Sequence, residues 1–70
     1  MILLIATRRG VNDSFQFRIE PDDAAATTTT DPVKAARILF RLGVEQPWRM
    51  VEHAQHWGSV EIVKDSPVHH

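Results

Sequence analysis

Residues 27–57, TTTTDPVKAARILFRLGVEQPWRMVEHAQHW, decide most of the fold because they contain the start and stop signals of two helices. Asp31 can accept hydrogen bonds from the free backbone N–H groups of a first helical turn. Pro32 suits the first helical position, where its missing N–H costs nothing. Gly43 tolerates the left-handed conformation that commonly follows a helix. These signals predict a first helix from Asp31 to Leu42.

Pro47 opens a second amphipathic stretch, which runs from Trp48 to Trp57. At the 100° step of an α-helix its residues separate into an apolar side and a polar side. The predicted apolar side holds Met50, Val51, Ala54 and Trp57, and the predicted polar side holds Arg49, Glu52, His53 and His56. Gly58 supplies a stop signal, so we predict a second helix that packs through one face.

The N-terminal part of the chain has the pattern of two strands. Ile2–Ala6 is a continuous β-rich apolar run, typical of a strand that is covered on both faces. Thr7–Asp13 contains Gly and Asn-Asp, which predicts a hairpin loop. Ser14–Glu20 alternates apolar and polar residues, as a half-buried strand does, and Pro21–Asp23 forms a turn.

Two segments complete the predicted order. Residues 24–30 are read as a third strand at the sheet edge because threonine favours strands, with a linker as the alternative. Ser59–Lys64 is read as a final strand, and residues 65–70 as a flexible tail. The predicted fold is a single α+β domain with the order β-β-(β)-α-α-β, in which two helices pack on one face of an antiparallel sheet of three to four strands. The predicted core is Leu3, Ile5, Phe15, Phe17, Ile19, Ala36, Leu39, Phe40, Met50, Val51, Ala54, Val60 and Ile62.

Size and composition exclude several classes of protein. A chain of 70 residues buries only about 60% of its unfolded surface, so it gains stability from a partner or from homodimerisation. The formal charge of −1 gives no global attraction to nucleic acid or to anionic membrane. The absence of cysteine excludes disulfides and thiolate chemistry and fits a reducing cytoplasm. Met1–Ala6 is too short for a signal peptide or a membrane span.

Catalytic and metal-binding patterns are weak. Ser14, Ser59 and Ser66 lack the sequence context of a catalytic nucleophile, so we expect no enzyme activity. Glu52 and His56 lie four residues apart and His53 and His56 three apart, spacings that suit zinc or nickel. A zinc site needs three or four protein ligands, and the remaining donors, His69 and His70, are terminal. We therefore expect no metal and no cofactor.

Three groups of exposed residues are candidate contact sites. Trp48 lies off the apolar side of the second helix and is a candidate interface anchor beside its polar residues. The acidic candidates for a basic partner surface are Asp13, Glu20, Asp22 and Asp23. The basic candidates for phosphate contact are Arg8 and Arg9 near Gly10, and Lys34, Arg37 and Arg41 on one stripe of the first helix.

Residues 39–53, LFRLGVEQPWRMVEH, resemble the turn of a helix-turn-helix DNA-binding protein, with Leu42-Gly43-Val44 in the usual place. The resemblance implies that Gln46, Arg49, Glu52 and His53 face the major groove. The chain departs from the family's pattern because Leu39 stands where the family keeps alanine. It also places Arg49 and Glu52 where the recognition helix of that family buries aliphatic residues.

Residues 14–20 and 27–36, SFQFRIE and TTTTDPVKAA, give the chain a layout similar to that of small phage-encoded inhibitors of the anti-CRISPR kind. That resemblance implies an α+β domain that occupies the surface of a host nucleoprotein complex in the host cytoplasm, and no site residue carries over. The sequence hypothesis is thus a non-enzymatic protein-binding inhibitor of this kind, with a helix-turn-helix DNA-binding regulator as the alternative. The expected partner is a protein or a nucleoprotein complex, and not a membrane.

Overall fold

The computed structural model describes residues 1–62, which form a four-stranded antiparallel sheet with two helices on one face. The elements are β1 (Ile2–Arg9), β2 (Ser14–Glu20), β3 (Thr27–Thr29), α1 (Pro32–Arg41), α2 (Pro47–Trp57) and β4 (Val60–Ile62). The strand order across the sheet is β3-β2-β1-β4. The predicted α+β class is confirmed, and the threonine segment contributes an edge strand. Residues 63–64 of the predicted last strand and the predicted tail at 65–70 lie outside the described residues.

The β1–β2 hairpin is longer than the sequence pattern predicts. β1 continues through Arg9, which pairs with Ser14, so the loop contains only residues 10–13. The Ser14 hydroxyl donates a hydrogen bond of 2.9 Å to the Arg9 carbonyl and closes the ladder at the loop. Asp13 takes a left-handed conformation with φ of 55°, which aspartate tolerates better than most residues. The prediction that the loop begins at Thr7 is wrong by three residues.

The covered face of β1 consists of Ile2, Leu4 and Ala6, which are buried, whereas Leu3 and Ile5 are half-buried on the opposite face. The prediction that Leu3 and Ile5 belong to the core is therefore wrong. The pairing register explains which residues of β1 face the core, because Leu4 lies opposite Ile19 and Ala6 lies opposite Phe17. Paired residues share a face of the sheet, so the alternation of β2 selects the even-numbered residues of β1. Five successive apolar residues contain no such information themselves.

The two edge strands are short. β3 pairs with residues 17–19 of β2, and β4 pairs with residues 2–4 of β1. The hydroxyl of Thr29 accepts a 3.1 Å hydrogen bond from the backbone N–H of Asp31, so the end of β3 leads directly into α1.

The helix boundaries agree with the predicted start and stop signals. The Asp31 carboxylate accepts a 2.9 Å hydrogen bond from the Val33 N–H and caps α1, as predicted. α1 ends at Arg41, with Gly43 (φ 93°) just beyond it, and α2 ends before Gly58 (φ 82°). Gln46 precedes α2 and makes no side-chain capping bond. Of the two helices in residues 1–62, neither has the length and apolar character needed to cross a bilayer.

One core lies between the sheet and the helices. Its buried members are Ile2, Leu4, Ala6, Phe17, Ile19, Ala35, Ala36, Leu39, Met50, Val51 and Ala54, and the half-buried Phe15, Val60 and Ile62 pack against it. The prediction that Phe40 is a core residue is wrong, and so is the prediction that Trp57 lies on the packed side of the second helix, since the two residues are 68% and 65% exposed. Phe40 lies 100° from Leu39 and 200° from Ile38 around α1, so it is exposed while Leu39 is buried and Ile38 packs against the core from the other side.

Candidate partner-binding surface

The exposed aromatic residues of the described chain lie on the helices. Phe40 of α1 is 68% exposed, and Trp48 and Trp57 of α2 are 48% and 65% exposed. By contrast, Phe17 of the sheet is buried and Phe15 is half-buried. Single exposed aliphatic residues are common on any protein surface and need no explanation. Several exposed aromatic side chains on one layer of a small protein are more informative, because they can mark a contact surface. The helix layer is therefore the first candidate for a contact surface.

A groove of about 360 Å³ lies between α1 and α2 on this layer. We call it the interhelical groove, and it is lined by Val33, Ala36, Arg37, Phe40, Arg41, Pro47 and Trp48. Val33, Arg37 and Phe40 follow one another at spacings of four and three residues, which places them along one ridge of α1. The short connection at residues 42–46 brings the start of α2, with Pro47 and Trp48, beside the end of that ridge.

The cations of α1 differ from the other arginines of the chain. Within residues 1–62, no ion pair or hydrogen bond engages the side chains of Lys34, Arg37 or Arg41. Arg18, in contrast, donates a 2.8 Å hydrogen bond to the Glu20 carboxylate. Arg49 donates one of 2.9 Å to the Gln46 side chain. The stripe on α1 therefore keeps its full positive charge available to a partner.

The polar side of α2 is exposed as predicted. We call this region the second-helix surface, and its residues are Arg49, Glu52, His53, His56 and Trp57. The Trp57 ring lies edge-on to His56, with ring centroids 4.8 Å apart, and its centroid is 6.0 Å from that of His53. Trp57 thus packs against two histidines of its own helix rather than against the sheet. Trp48 adjoins this surface at the helix start and also lines the interhelical groove.

The predicted acidic residues do not form one patch. Asp13 lies in the β1–β2 loop, whereas Glu20 ends β2, and about 20 Å of strand separates the two positions. Several of these carboxylates already have partners: Asp13 lies 3.8 Å from Arg8, Glu20 pairs with Arg18, and Asp22 contacts the amino group of Met1. Glu20, Asp22 and Asp23 stay neighbours in the chain at one end of the sheet.

The two basic candidates near the hairpin lie in β1 rather than at the loop tip. Because successive strand residues point to opposite faces, Arg8 and Arg9 cannot act on one surface. The Arg8 guanidinium lies 5.4 Å from the Phe15 ring centroid, and Arg9 donates a 2.7 Å hydrogen bond to Gln16. Both side chains are therefore engaged in the hairpin, unlike the cations of α1.

Two further cavities flank the helices, and neither contains an evident catalytic arrangement. One of about 390 Å³ lies beside α1 and includes Lys34, Ile38 and Arg41 in its lining. Another of about 460 Å³ lies between α2 and β4 and includes Arg49 and His53. In the described part of the chain, no three His, Asp or Glu side chains gather closely enough to hold a metal ion.

Sequence reasoning missed the interhelical groove, although one signal was present. Ile38, Leu39 and Phe40 are three successive apolar residues in a helix and span 200° of its circumference. An amphipathic helix buries a stripe of only about 100° or slightly more, so one of the three residues must lie outside it. Together with a tryptophan at the start of the next helix, this excess predicts an apolar surface near the helix junction.

No family model, curated protein or solved structure matches the chain.

Proposed function

We propose that this protein is a non-enzymatic binding protein that acts by contact between its helix layer and a macromolecular partner. The observation that carries the proposal is the concentration of exposed aromatic residues there: Phe40, Trp48 and Trp57. The most specific form of the proposal is a phage-type inhibitor that occupies the surface of a host nucleoprotein complex in the cytoplasm, as the layout of the chain suggests.

Exposed aromatic residues offer a partner favourable free energy of burial. Full burial of a large apolar side chain is worth about 1.5–3 kcal/mol, so a partner that covers Phe40 and Trp48 recovers free energy that the isolated fold forgoes. Tryptophan is enriched among the few residues that dominate interface energetics. The sheet beneath supports both helices through buried residues such as Leu39 and Val51, so the contact surface is already organised before binding.

Affinity capture from bacterial lysate, followed by mass spectrometry, tests the proposal. We expect the wild-type protein to retain a defined partner, and Phe40→Ser to reduce the retained amount at least tenfold, because it removes an exposed anchor. The matched control is Arg18→Gln/Glu20→Gln, which changes an exposed ion pair on the sheet and should leave capture unchanged. Thermal unfolding of each variant shows that the fold is kept.

Three results would count against the proposal. The first is that no protein is retained above the level of an unrelated bait. The second is capture that Phe40→Ser leaves unchanged. The third is capture that Asp22→Lys/Asp23→Lys abolishes, which would assign the contact to the acidic turn.

A DNA-binding regulator of helix-turn-helix type is the second candidate. It is favoured by the unpaired stripe of Lys34, Arg37 and Arg41, with Arg49 exposed on the following helix. Three phosphate contacts would give a slope of about −2.7 for the logarithm of affinity against the logarithm of salt concentration. Retention on random duplex DNA with this salt dependence would support the candidate, and no retention at low salt would exclude it.

A further inference from the structure

The interhelical groove combines apolar lining with a positive rim. Val33, Phe40, Pro47 and Trp48 provide apolar surface, while Arg37 and Arg41 line the same concavity. A volume of about 360 Å³ falls at the lower end of the range for sites that enclose a small ligand. A groove of this size accepts one or a few apolar side chains and is too small to receive a folded domain.

The charge on the α1 side of the groove is one-sided. α1 runs from Pro32 to Arg41 and contains Lys34, Arg37 and Arg41 but no acidic residue. The chain as a whole carries a formal charge of −1, so its negative charge lies elsewhere in the sequence. Since no acidic side chain in residues 1–62 pairs with these three cations, carboxylates from an occupant are their natural complement.

We propose that the interhelical groove binds an acidic peptide segment of a protein partner. An apolar side chain of the segment inserts beside Phe40 and Trp48, and neighbouring carboxylates pair with Arg37 and Arg41. Arginine suits this role because its planar guanidinium can bind both oxygens of a carboxylate. The inference rests on the proposed function and deepens it by naming the docking groove and the chemistry of the bound segment.

Two other occupants fit less well. Nucleic acid would find only three unpaired cations on α1, whereas strong phosphate-dependent binding draws on about 6–10 contacts. A second copy in a two-fold dimer through this groove would place the same surface on both sides, so that Arg37 and Arg41 of both protomers would enter one interface without an acidic residue of α1 to pair with them. Like charges across an interface are unfavourable.

The two tryptophans allow a direct binding experiment on the full chain. In Trp57→Phe the remaining indole is Trp48 in the groove, and in Trp48→Phe it is Trp57 on the second-helix surface. The probes are three sets of synthetic 12-residue peptides without tryptophan or tyrosine. Each set has a central Leu, Ile, Met or Phe, and the flanking positions are Glu in one set, Gln in the second and Lys in the third.

We expect the Glu peptides to shift the emission of Trp48 to shorter wavelength in Trp57→Phe and to leave the emission of Trp48→Phe unchanged. The Gln peptides should bind about tenfold more weakly, and the Lys peptides more weakly still. Arg37→Gln/Arg41→Gln, made in the Trp57→Phe background, should weaken Glu peptides about fivefold to tenfold and leave Gln peptides unaffected. Arg18→Gln in the same background is the matched control, because it removes an arginine from the sheet without touching the groove.

The proposal is overturned if no Glu peptide binds at millimolar concentration, if the three charge forms bind equally, or if only Trp57 responds. It is also overturned if oligothymidylate changes Trp48 emission at lower concentration than any Glu peptide, or if sedimentation shows a dimer that Phe40→Ser dissociates. Failure here is separable from failure of the proposed function. A lysate partner whose capture requires Phe40 can coexist with Glu peptides that do not bind, and that pair of results would reject only the groove inference.

Discussion

The open face of the sheet and the outer side of α1 differ in whether their arginines have partners within the chain. On the open face of the sheet, Arg18 pairs with Glu20 at 2.8 Å and Arg9 bonds to Gln16 at 2.7 Å. On the outer surface of the helix layer, Arg37 and Arg41 have no partner in the described part of the chain. The arginines of a solvated surface can bond to other side chains of the same surface, as Arg9 and Arg18 do on the sheet. The unpaired arginines of α1 are therefore a property of that surface and not of the composition of the chain.

The same contrast holds for apolar residues. Leu3 and Ile5 face the open side of the sheet, but both are half-buried beside the long side chains of neighbouring strands. Phe40 and Trp57 on the helices remain about two-thirds exposed. Small size therefore does not force this fold to expose its apolar residues. This contrast supports the proposal that the helix layer contacts another molecule.

The largest expected effect distinguishes the two faces of β1 at neighbouring positions. Leu4→Thr should lower the free energy of unfolding by about 2–5 kcal/mol, because Leu4 is fully buried and the substitution leaves a cavity and a buried hydroxyl. Ile5→Thr on the open face should cost about 1 kcal/mol or less, since threonine also favours strands. Urea unfolding of both variants measures the difference, and equal losses would mean that the assigned faces of β1 are wrong.

A smaller effect separates the starts of the two helices. Asp31→Ala should cost about 1 kcal/mol, because its carboxylate caps the Val33 N–H at 2.9 Å. Gln46→Ala should cost only a few tenths of a kcal/mol, since Gln46 makes no capping bond and loses only an exposed contact with Arg49. Thermal unfolding of the two variants provides the comparison. A larger loss for Gln46→Ala would contradict the observed capping.

The charge contrast between the two surfaces predicts a still smaller difference in stability. In a double-mutant cycle, Arg18→Gln and Glu20→Gln should show a coupling energy of about 0.2–1 kcal/mol that declines as salt is raised. Arg37→Gln should leave the free energy of unfolding unchanged, because the side chain has no partner in residues 1–62. Destabilisation by Arg37→Gln comparable to that of Arg18→Gln would contradict the difference between a paired arginine on the sheet and an unpaired arginine on α1.

The smallest expected effect on stability is at Phe40. Phe40→Ser should change the free energy of unfolding by about 0.5 kcal/mol or less, because the ring is 68% exposed. It should nevertheless shorten retention on a hydrophobic interaction column, where an exposed aromatic ring dominates. Val11→Ser is a matched control for loss of an exposed apolar residue, since Val11 lies in the hairpin loop and is fully exposed. Large destabilisation by Phe40→Ser would mean that Phe40 belongs to the core.

Local signals in the sequence predict the parts of this fold that local chemistry determines. The Asp31-Pro32 start of α1 and the strict alternation of β2 have direct physical causes in capping and in the strand pleat. The buried face of β1 depends on pairing with β2, which the continuous run Ile2–Ala6 does not encode. The apolar pattern of α2 does not predict the exposure of Trp57 either, because its ring packs against two histidines of its own helix instead of the sheet.

The candidate site shows the same division between local and tertiary information. The exposure of Trp48, Arg49, Glu52, His53 and His56 follows from helical periodicity and is predicted correctly. The interhelical groove requires the packing of α1 against α2, so it becomes visible only in three dimensions. The separation of Asp13 from Glu20, Asp22 and Asp23 follows from the strand that the alternation at Ser14–Glu20 predicts, and the structure confirms that strand.

Backbone hydrogen exchange of the full chain, free and bound to the captured partner, tests directly whether the helix layer is the contact surface. We expect slower exchange on binding in residues 33–41 and 48–57, with little change in residues 14–20 and 27–29. Protection concentrated in β2 and β3, with unchanged exchange in both helices, would contradict the assignment of the helix layer as the contact surface.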